Sequence, residues 1–212
     1  MSLFVTFEGI EGSGKTTHLR HLAARLRAAG REVLETREPG GTPAGSALRT
    51  LLLGTDAVPL SPLAELLLYC ADRTQHVEEV IRPALAAGRV VLCDRFSDST
   101  IAYQGYGRGL DLVTVRALDA TARAGLSPDL TFLLDCPVPV GLARAGARRG
   151  TAVGGDRFER ETLEFHTRVR AGFAALAAAE PTRFCTLDGA AAMADVQARM
   201  IAAVDTRLGG ST

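Results

Sequence analysis

The sequence has no surplus of charge and almost no lysine. Its 24 basic residues balance its 24 acidic ones over 212 positions, so the global field draws in neither a nucleic-acid backbone nor an anionic membrane. Any grip on a polyanion has to come from a local cluster. Of the 24 basic residues 23 are arginine, and the single lysine is Lys15. A compact, flexible ammonium kept at one position marks that position for a task a planar guanidinium does poorly.

Other absences narrow the class further. The four cysteines, Cys70, Cys93, Cys136 and Cys185, form no CxxC pair and no metal-ligand spacing. Three of them fall in apolar stretches that read as strands, which implies buried, reduced thiols. No apolar run reaches 18 residues, which argues against a membrane span. The opening Met-Ser-Leu-Phe-Val-Thr-Phe has neither a basic stretch nor a cleavage pattern. The expectation is a cytoplasmic protein. No internal repeat, linker or second composition regime breaks the chain, so residues 1–212 read as one domain, large enough to bury roughly 70% of its unfolded surface.

What is present is an alternation. Short apolar runs at Leu3 to Phe7, Glu32 to Thr36, Arg89 to Cys93, Leu130 to Asp135 and Arg183 to Leu187 read as strands. Between and after them, Lys15 to Ala29, Ala44 to Leu53, Leu63 to Ala87, Val113 to Ala124, Val138 to Arg149, Arg157 to Ala179 and Ala191 to Leu208 carry helical patterns. Apolar strands alternating with long helices predict an α/β fold in three layers, a five-stranded parallel sheet flanked by helices on both faces. Such sheets bind ligands beyond the carboxyl ends of their strands. The Gly- and Arg-rich run from Gly146 to Asp156 breaks the pattern and reads as a mobile loop.

Gly9-Ile10-Glu11-Gly12-Ser13-Gly14-Lys15-Thr16 fits GxxxxGK[ST], followed by Thr17, in the required place between a strand and a helix. Glycines let consecutive backbone N–H groups form an anion nest, and the helix N-terminus adds its positive end. Lys15 is placed to reach the β- and γ-phosphates of ATP, and the Thr16 hydroxyl to ligate Mg²⁺. The loop implies nucleotide binding and not which reaction. The chain contains no DxxG or NKxD stretch and no LSGGQ-like signature, which argues against a GTPase and a transporter ATPase.

Further stretches decide between the remaining readings. Thr36-Arg37-Glu38-Pro39-Gly40-Gly41-Thr42 follows the second strand, and Asp94-Arg95-Phe96 ends the third. Tyr69-Cys70-Ala71-Asp72-Arg73 lies between them, and Ser99-Thr100-Ile101-Ala102-Tyr103-Gln104-Gly105 comes after. Bringing two phosphates together costs about 1 kcal/mol per charge pair at 4 Å in water and about 4 at an effective dielectric of 20. Such a site needs fixed, preferably bidentate, positive charge. Arg37, Arg49 and Arg95 lie at or near strand ends on the side where Lys15 is expected. Tyr69 and Arg73, four apart on a helix, share a face suited to a nucleobase, and Thr100 and Gln104 form a second such pair.

This set, in this order and spacing, resembles the bacterial-type thymidylate kinases of the P-loop nucleoside monophosphate kinase family, from about Phe4 to Arg168. The resemblance implies phosphoryl transfer from ATP to dTMP, with Mg²⁺, in a homodimer that uses neither nucleic acid nor membrane. It assigns Arg37, Arg49 and Arg95 to the acceptor phosphate and Glu11 to the acceptor 3′-hydroxyl. Tyr69 would stack on thymine and Arg73 reach O4. Thr100 and Gln104 would meet N3 and the carbonyls, and Tyr103 would sit against the sugar. The loop from Gly9 to Thr17 would hold ATP. The phosphate loop lacks the arginine of the human-like subclass, so the resemblance leaves that charge to a lid around 146–156 bearing Arg148 and Arg149, joined to Lys15 and Arg95 as the catalytic set. The rival readings are another P-loop nucleoside or nucleotide kinase, and an ATP-binding regulatory module without a phosphate acceptor. The four histidines, scattered over helices, carry no expected role.

Overall fold

The computed structural model describes residues 1–54, 59–149 and 157–209, with the side chains of Arg148 and Arg149 outside that description. Five parallel strands form one sheet: β1 (Leu3–Glu8), β2 (Val33–Arg37), β3 (Val90–Asp94), β4 (Leu130–Asp135) and β5 (Phe184–Asp188), in the order β2-β3-β1-β4-β5. Along β1 the period of two sorts the side chains. Leu3, Val5 and Phe7 face a core shared with helix α1 (Lys15–Ala28) and helix α9 (Met193–Gly209), while Phe4 faces the opposite core. Every residue of β1 is buried, as expected of a central parallel strand covered on both faces. On the second face Thr6 and Thr131 share a buried hydroxyl pair at 2.8 Å, which satisfies two polar groups that burial would otherwise penalise.

The other layer holds α2 (Pro43–Leu53), α3 (Pro62–His76), α4 (Arg82–Ala86), α5 (Ser97–Thr100), α6 (Leu112–Arg123), α7 (Val138–Arg149) and α8 (Leu163–Ala179). Thr42, Ser61, Asp111 and Thr162 cap α2, α3, α6 and α8 by accepting a backbone N–H in the first turn. The strand and helix positions agree with the sequence reading to within a residue or two, with three differences. The helix read over Leu63 to Ala87 passes through a wide, π-helical turn at Val77–Ile81. The stretch left without an element between Cys93 and Val113 is helical, as α5 followed by a π-helical segment, Ile101–Gly107. The helix read over Arg157 to Ala179 begins as a single 3₁₀ turn, Arg157–Arg160, before Thr162 caps α8.

Register sets the functional end. Asp94 pairs with Phe7 on one side and Arg37 on the other. Three strand ends therefore finish level, and the segments after β1, β2 and β3 emerge side by side.

Candidate active site

After Glu8 the chain turns through Gly9 (φ 135°), Gly12 (φ 71°) and Gly14 (φ 95°) before α1 begins at Lys15. These dihedrals suit glycine, and space forbids anything larger at Gly12. A Cβ there would lie 1.9 Å from the Gly141 carbonyl oxygen at the start of α7. Lys15 is buried and folds back over the loop, donating to the carbonyls of Gly9 (3.0 Å) and Ile10 (2.8 Å). Burial, then the nearby Arg95, lowers its pKa to about 8. The Thr16 hydroxyl donates to Asp94 at the end of β3.

Asp94 leads directly into Arg95, which takes a left-handed φ of 73°. That turn carries its guanidinium to Ser99 Oγ (3.0 Å), Glu11 Oε1 (3.0 Å) and the Tyr103 hydroxyl (3.2 Å), over the Tyr103 ring at 5.0 Å. Tyr103 in turn donates to Glu11 Oε1 at 2.5 Å. Burial works to raise the Glu11 carboxyl, but His166, Arg95, Lys15 and Tyr103 together outweigh it and hold it down to about 2. Glu8 behaves oppositely. Burial first, then the like charge of Asp98, pushes it up to about 8, while it accepts from Phe96 N (2.8 Å) and Ser99 Oγ (2.6 Å).

A pocket opens beside this cluster, lined by Glu11, Tyr69, Arg73, Arg95, Thr100, Tyr103 and Gln104, with Glu38, Phe96 and Phe158 among its walls. Seven of the nine positions assigned to the acceptor thus meet in one cavity. Arg37 and Arg49 do not line it; both approach Gly40, where a Cβ would fall 3.0 Å from Arg49 Cδ and 3.8 Å from Arg37 Nε, and Arg49 donates to Pro39 O at 2.8 Å. The Thr100 hydroxyl is buried and makes no hydrogen bond among the described residues, which leaves a polar group in the wall for an incoming partner. Gln104 donates its amide to Glu65 Oε1 at 2.7 Å. Arg73 is 1% exposed. Its charge is met by Glu38 (2.9 Å) and Asp119 (2.8 Å), and it lies over the Phe96 ring at 5.2 Å.

Sequence reading missed the groups that hold these residues in place. Glu38 also meets His76 Nδ1 at 2.9 Å, and His76 Nε2 meets Thr36 Oγ1 at 2.6 Å. A Cβ on Gly41 would fall 2.4 Å from that ring, so the glycine pair in this stretch lets the backbone lie against His76. His166, fully buried, brings Nδ1 to 3.3 Å from the second Glu11 oxygen. Two histidines read as bystanders therefore stand behind the site. Asp94 and Phe158 belong to it as well. The signal for Asp94 was an acid at the end of a strand beside the phosphate-loop strand; for Phe158 there was none. Arg144 donates to Gly189 O at 2.6 Å, just past the carboxyl end of β5, where a Cβ on Gly189 would fall 3.4 Å from Ser13 O of the phosphate loop. The side chains of Arg148 and Arg149, and all of 150–156, lie outside the described residues.

The arrangement pairs a nucleotide-phosphate cradle with a second cavity that shares its Glu11 wall. A family model for thymidylate kinases matches residues 7–200. The thymidylate kinase of Solidesulfovibrio magneticus is 60% identical over 191 residues, covering 89% of this chain and 91% of that one. That of a Synechococcus strain is 58% identical over 206 residues, with 97% and 96% covered. Among solved structures, thymidylate kinase from Ehrlichia chaffeensis superposes with a TM-score of 0.78 at 36% identity, over 96% of this chain and 98% of its own.

Proposed function

The chain belongs to the thymidylate kinase family and transfers a phosphoryl group from ATP to dTMP, and on that premise we propose how its residues divide the work. The observation that carries this division is Glu11. It lies in the phosphate loop and also in the wall of the second pocket, tied there to Arg95 and Tyr103. The phosphate loop and the pocket share that residue, so phosphates bound at each would be brought close together.

In this reading Gly9, Ile10, Glu11, Gly12, Ser13, Gly14, Lys15, Thr16 and Thr17 hold the ATP phosphates. Lys15 exchanges its carbonyl contacts for phosphate oxygens, and its charge strengthens as anions replace the neutral loop around it. Arg95, fixed by Ser99 and Glu11, takes the acceptor phosphate, with Arg37 and Arg49 closing from the Gly40 edge. Tyr69 and Phe96 flank the base. Arg73 and the Thr100 hydroxyl supply hydrogen bonds to it, and Tyr103 packs on the sugar. Glu11, held ionised, accepts from the 3′-hydroxyl. The acceptor phosphate is already anionic at neutral pH, so no general base is needed, and positioning with charge neutralisation carries the reaction.

The Thr16 hydroxyl and the Asp94 carboxylate converge as two hard oxygen donors, a set that suits Mg²⁺ together with water and phosphate oxygens. A magnesium ion held by that pair would offset phosphate charge during transfer. Remaining charge on the transferring group falls to Arg148 and Arg149, in a lid spanning about 146–156. Large apolar side chains exposed on α2, α3 and α6 support a homodimer. Among the described residues no helix is long and apolar enough to cross a membrane, and all four cysteines are free thiols; both suit a cytoplasmic enzyme.

Coupled ADP-release assays over a panel of nucleoside monophosphates test the assignment. The highest kcat/KM is expected with dTMP. A clear preference for another monophosphate would overturn the base-pocket roles, and ATP binding without ADP release in every case would overturn catalysis.

A further inference from the structure

Glu65 does not line the pocket, yet it is 1% exposed and receives four side-chain contacts. It sits in the first turn of α3. Its Oε1 accepts from Gln104 Nε2 (2.7 Å) and Arg108 Nε (3.2 Å). Its Oε2 accepts from Arg108 Nη2 (3.2 Å) and from Arg157 Nη2. Arg108 is itself held by Glu161 at 2.6 Å, and both arginines lie over the Phe158 ring at 5.3 Å. The burial of an acid is costly unless it is met in this way. The cluster also imposes a direction on Gln104. An amide can present either end, but a carboxylate oxygen only accepts. Gln104 must therefore turn its NH₂ toward Glu65, and the carbonyl oxygen is the end left for the pocket.

We propose that Glu65 is a positioning residue that sets base specificity, by locking the Gln104 amide so that an acceptor faces the ring N–H of the base. This rests on the pocket being the dTMP site. An acceptor at that place pairs with the protonated N3 of thymine or uracil, and meets the bare N3 of cytosine lone pair to lone pair. Selection at this atom thus comes from a carboxyl group that never touches the nucleotide.

Substitution at Glu65 separates this role from a merely structural one. In Glu65→Gln the two guanidinium contacts on Oε2 hold the new carbonyl oxygen, so the new NH₂ faces Gln104. The Gln104 amide must then invert and point N–H at N3–H. Glu65→Asp keeps the charge between the arginines but withdraws the acceptor from Gln104. Gln104→Leu removes the acceptor altogether. Each variant is assayed with dTMP and with its N3-methyl analogue, which loses the N3–H and keeps both ring carbonyls and the planar ring. Circular dichroism and the KM for ATP report on folding.

Wild type should prefer dTMP by roughly 10- to 100-fold in kcat/KM, the cost of a buried polar group left unpaired. The preference should fall to near one in Gln104→Leu and Glu65→Gln, and partway in Glu65→Asp. If Glu65→Gln fails to fold, Glu65→Asp decides. A full preference in a folded Glu65 variant overturns the proposal even if Gln104→Leu loses it. A preference unchanged in Gln104→Leu overturns it too. A wild type that does not phosphorylate dTMP would instead sink the assignment of the pocket.

Discussion

Glu8 and Glu11 stand three residues apart on either side of the first turn of the phosphate loop, and burial treats them in opposite ways. Glu11 has Arg95, Lys15, His166 and Tyr103 around it and is held down to about 2; Glu8 has burial and Asp98 against it and is pushed up to about 8. For Glu8 the sign is plain. The folded protein keeps a proton that the unfolded chain releases near 4.5, so this residue's contribution is full below that pH and is lost as pH rises toward 8. In Glu8→Gln the amide mimics the protonated acid, accepting from Phe96 N and donating to Ser99 Oγ. Its Tm should gain on wild type as pH goes from 5 to 8, by roughly 2–4 °C for each kcal/mol relieved. Thermal melts across that range check this, and a gap that does not change with pH counts against it. At this scale the motif residues were legible, because each answers to a phosphate or a base. Their buried partners were not. Glu38 and Asp119 lie 35 and 46 residues from Arg73 in sequence, and no local pattern announces such pairs.

At the scale of elements, the alternation of strand and helix was readable because the three central strands, β1, β3 and β4, are short apolar runs buried along nearly their whole length. The segment from Ser97 to Gly107 was not, because its signal lies in contacts. Gly107 is where a Cβ would fall 2.8 Å from the Phe165 ring and 2.9 Å from Val169, so the π-helical run can lie against α8. The same logic joins α7 to the phosphate loop. A Cβ on Gly141 would lie 2.6 Å from Glu11 O and 2.9 Å from Ile10 Cδ1. Alanine is the better helix former by about 1 kcal/mol, yet Gly141→Ala must push the loop aside, at about 1–3 kcal/mol. The expected result is a modest loss of Tm with a several-fold rise in KM for ATP; an unchanged KM would show that the loop yields freely. At the other end of α7, Arg148→Ala and Arg149→Ala should lower kcat by roughly 10²-fold with KM for dTMP nearly constant, as losing an arginine from a phosphoryl-transfer site does. Near-normal kcat in both single variants and the double variant would make them surface charges.

For the whole molecule, the zero net charge that gives no global pull on a polyanion also removes a barrier to self-association. Leu63 and Leu67, one turn apart on α3, are 49% and 47% exposed, with Leu51 on α2 and Val113 on α6 also exposed. Those three helices pack against one another, α3 between the other two. Single exposed leucines need no explanation, whereas apolar side chains shared by adjacent helices mark a surface that water covers at a cost. A stable interface buries about 800 Å² per partner with an apolar centre. The expected occupant is a second copy of the chain, related by a two-fold axis so that α3 meets α3. Placing Glu at both Leu63 and Leu67 would set four carboxylates into that centre. Sedimentation should then move from a dimer in wild type to a monomer in the double variant. The melting temperature measured at low concentration, where wild type also dissociates, should be almost the same for both, because these side chains make little contact within one chain. A wild type that sediments as a monomer, or a double variant that remains dimeric, would place self-association on another face or remove it altogether. Tyr69 and Arg73 stand on the same helix as these leucines, so dimerisation would also brace the wall of the base pocket. The KM for dTMP in the double variant should therefore be raised and independent of protein concentration, whereas that of wild type should rise toward the same value only on dilution, as its dimer comes apart.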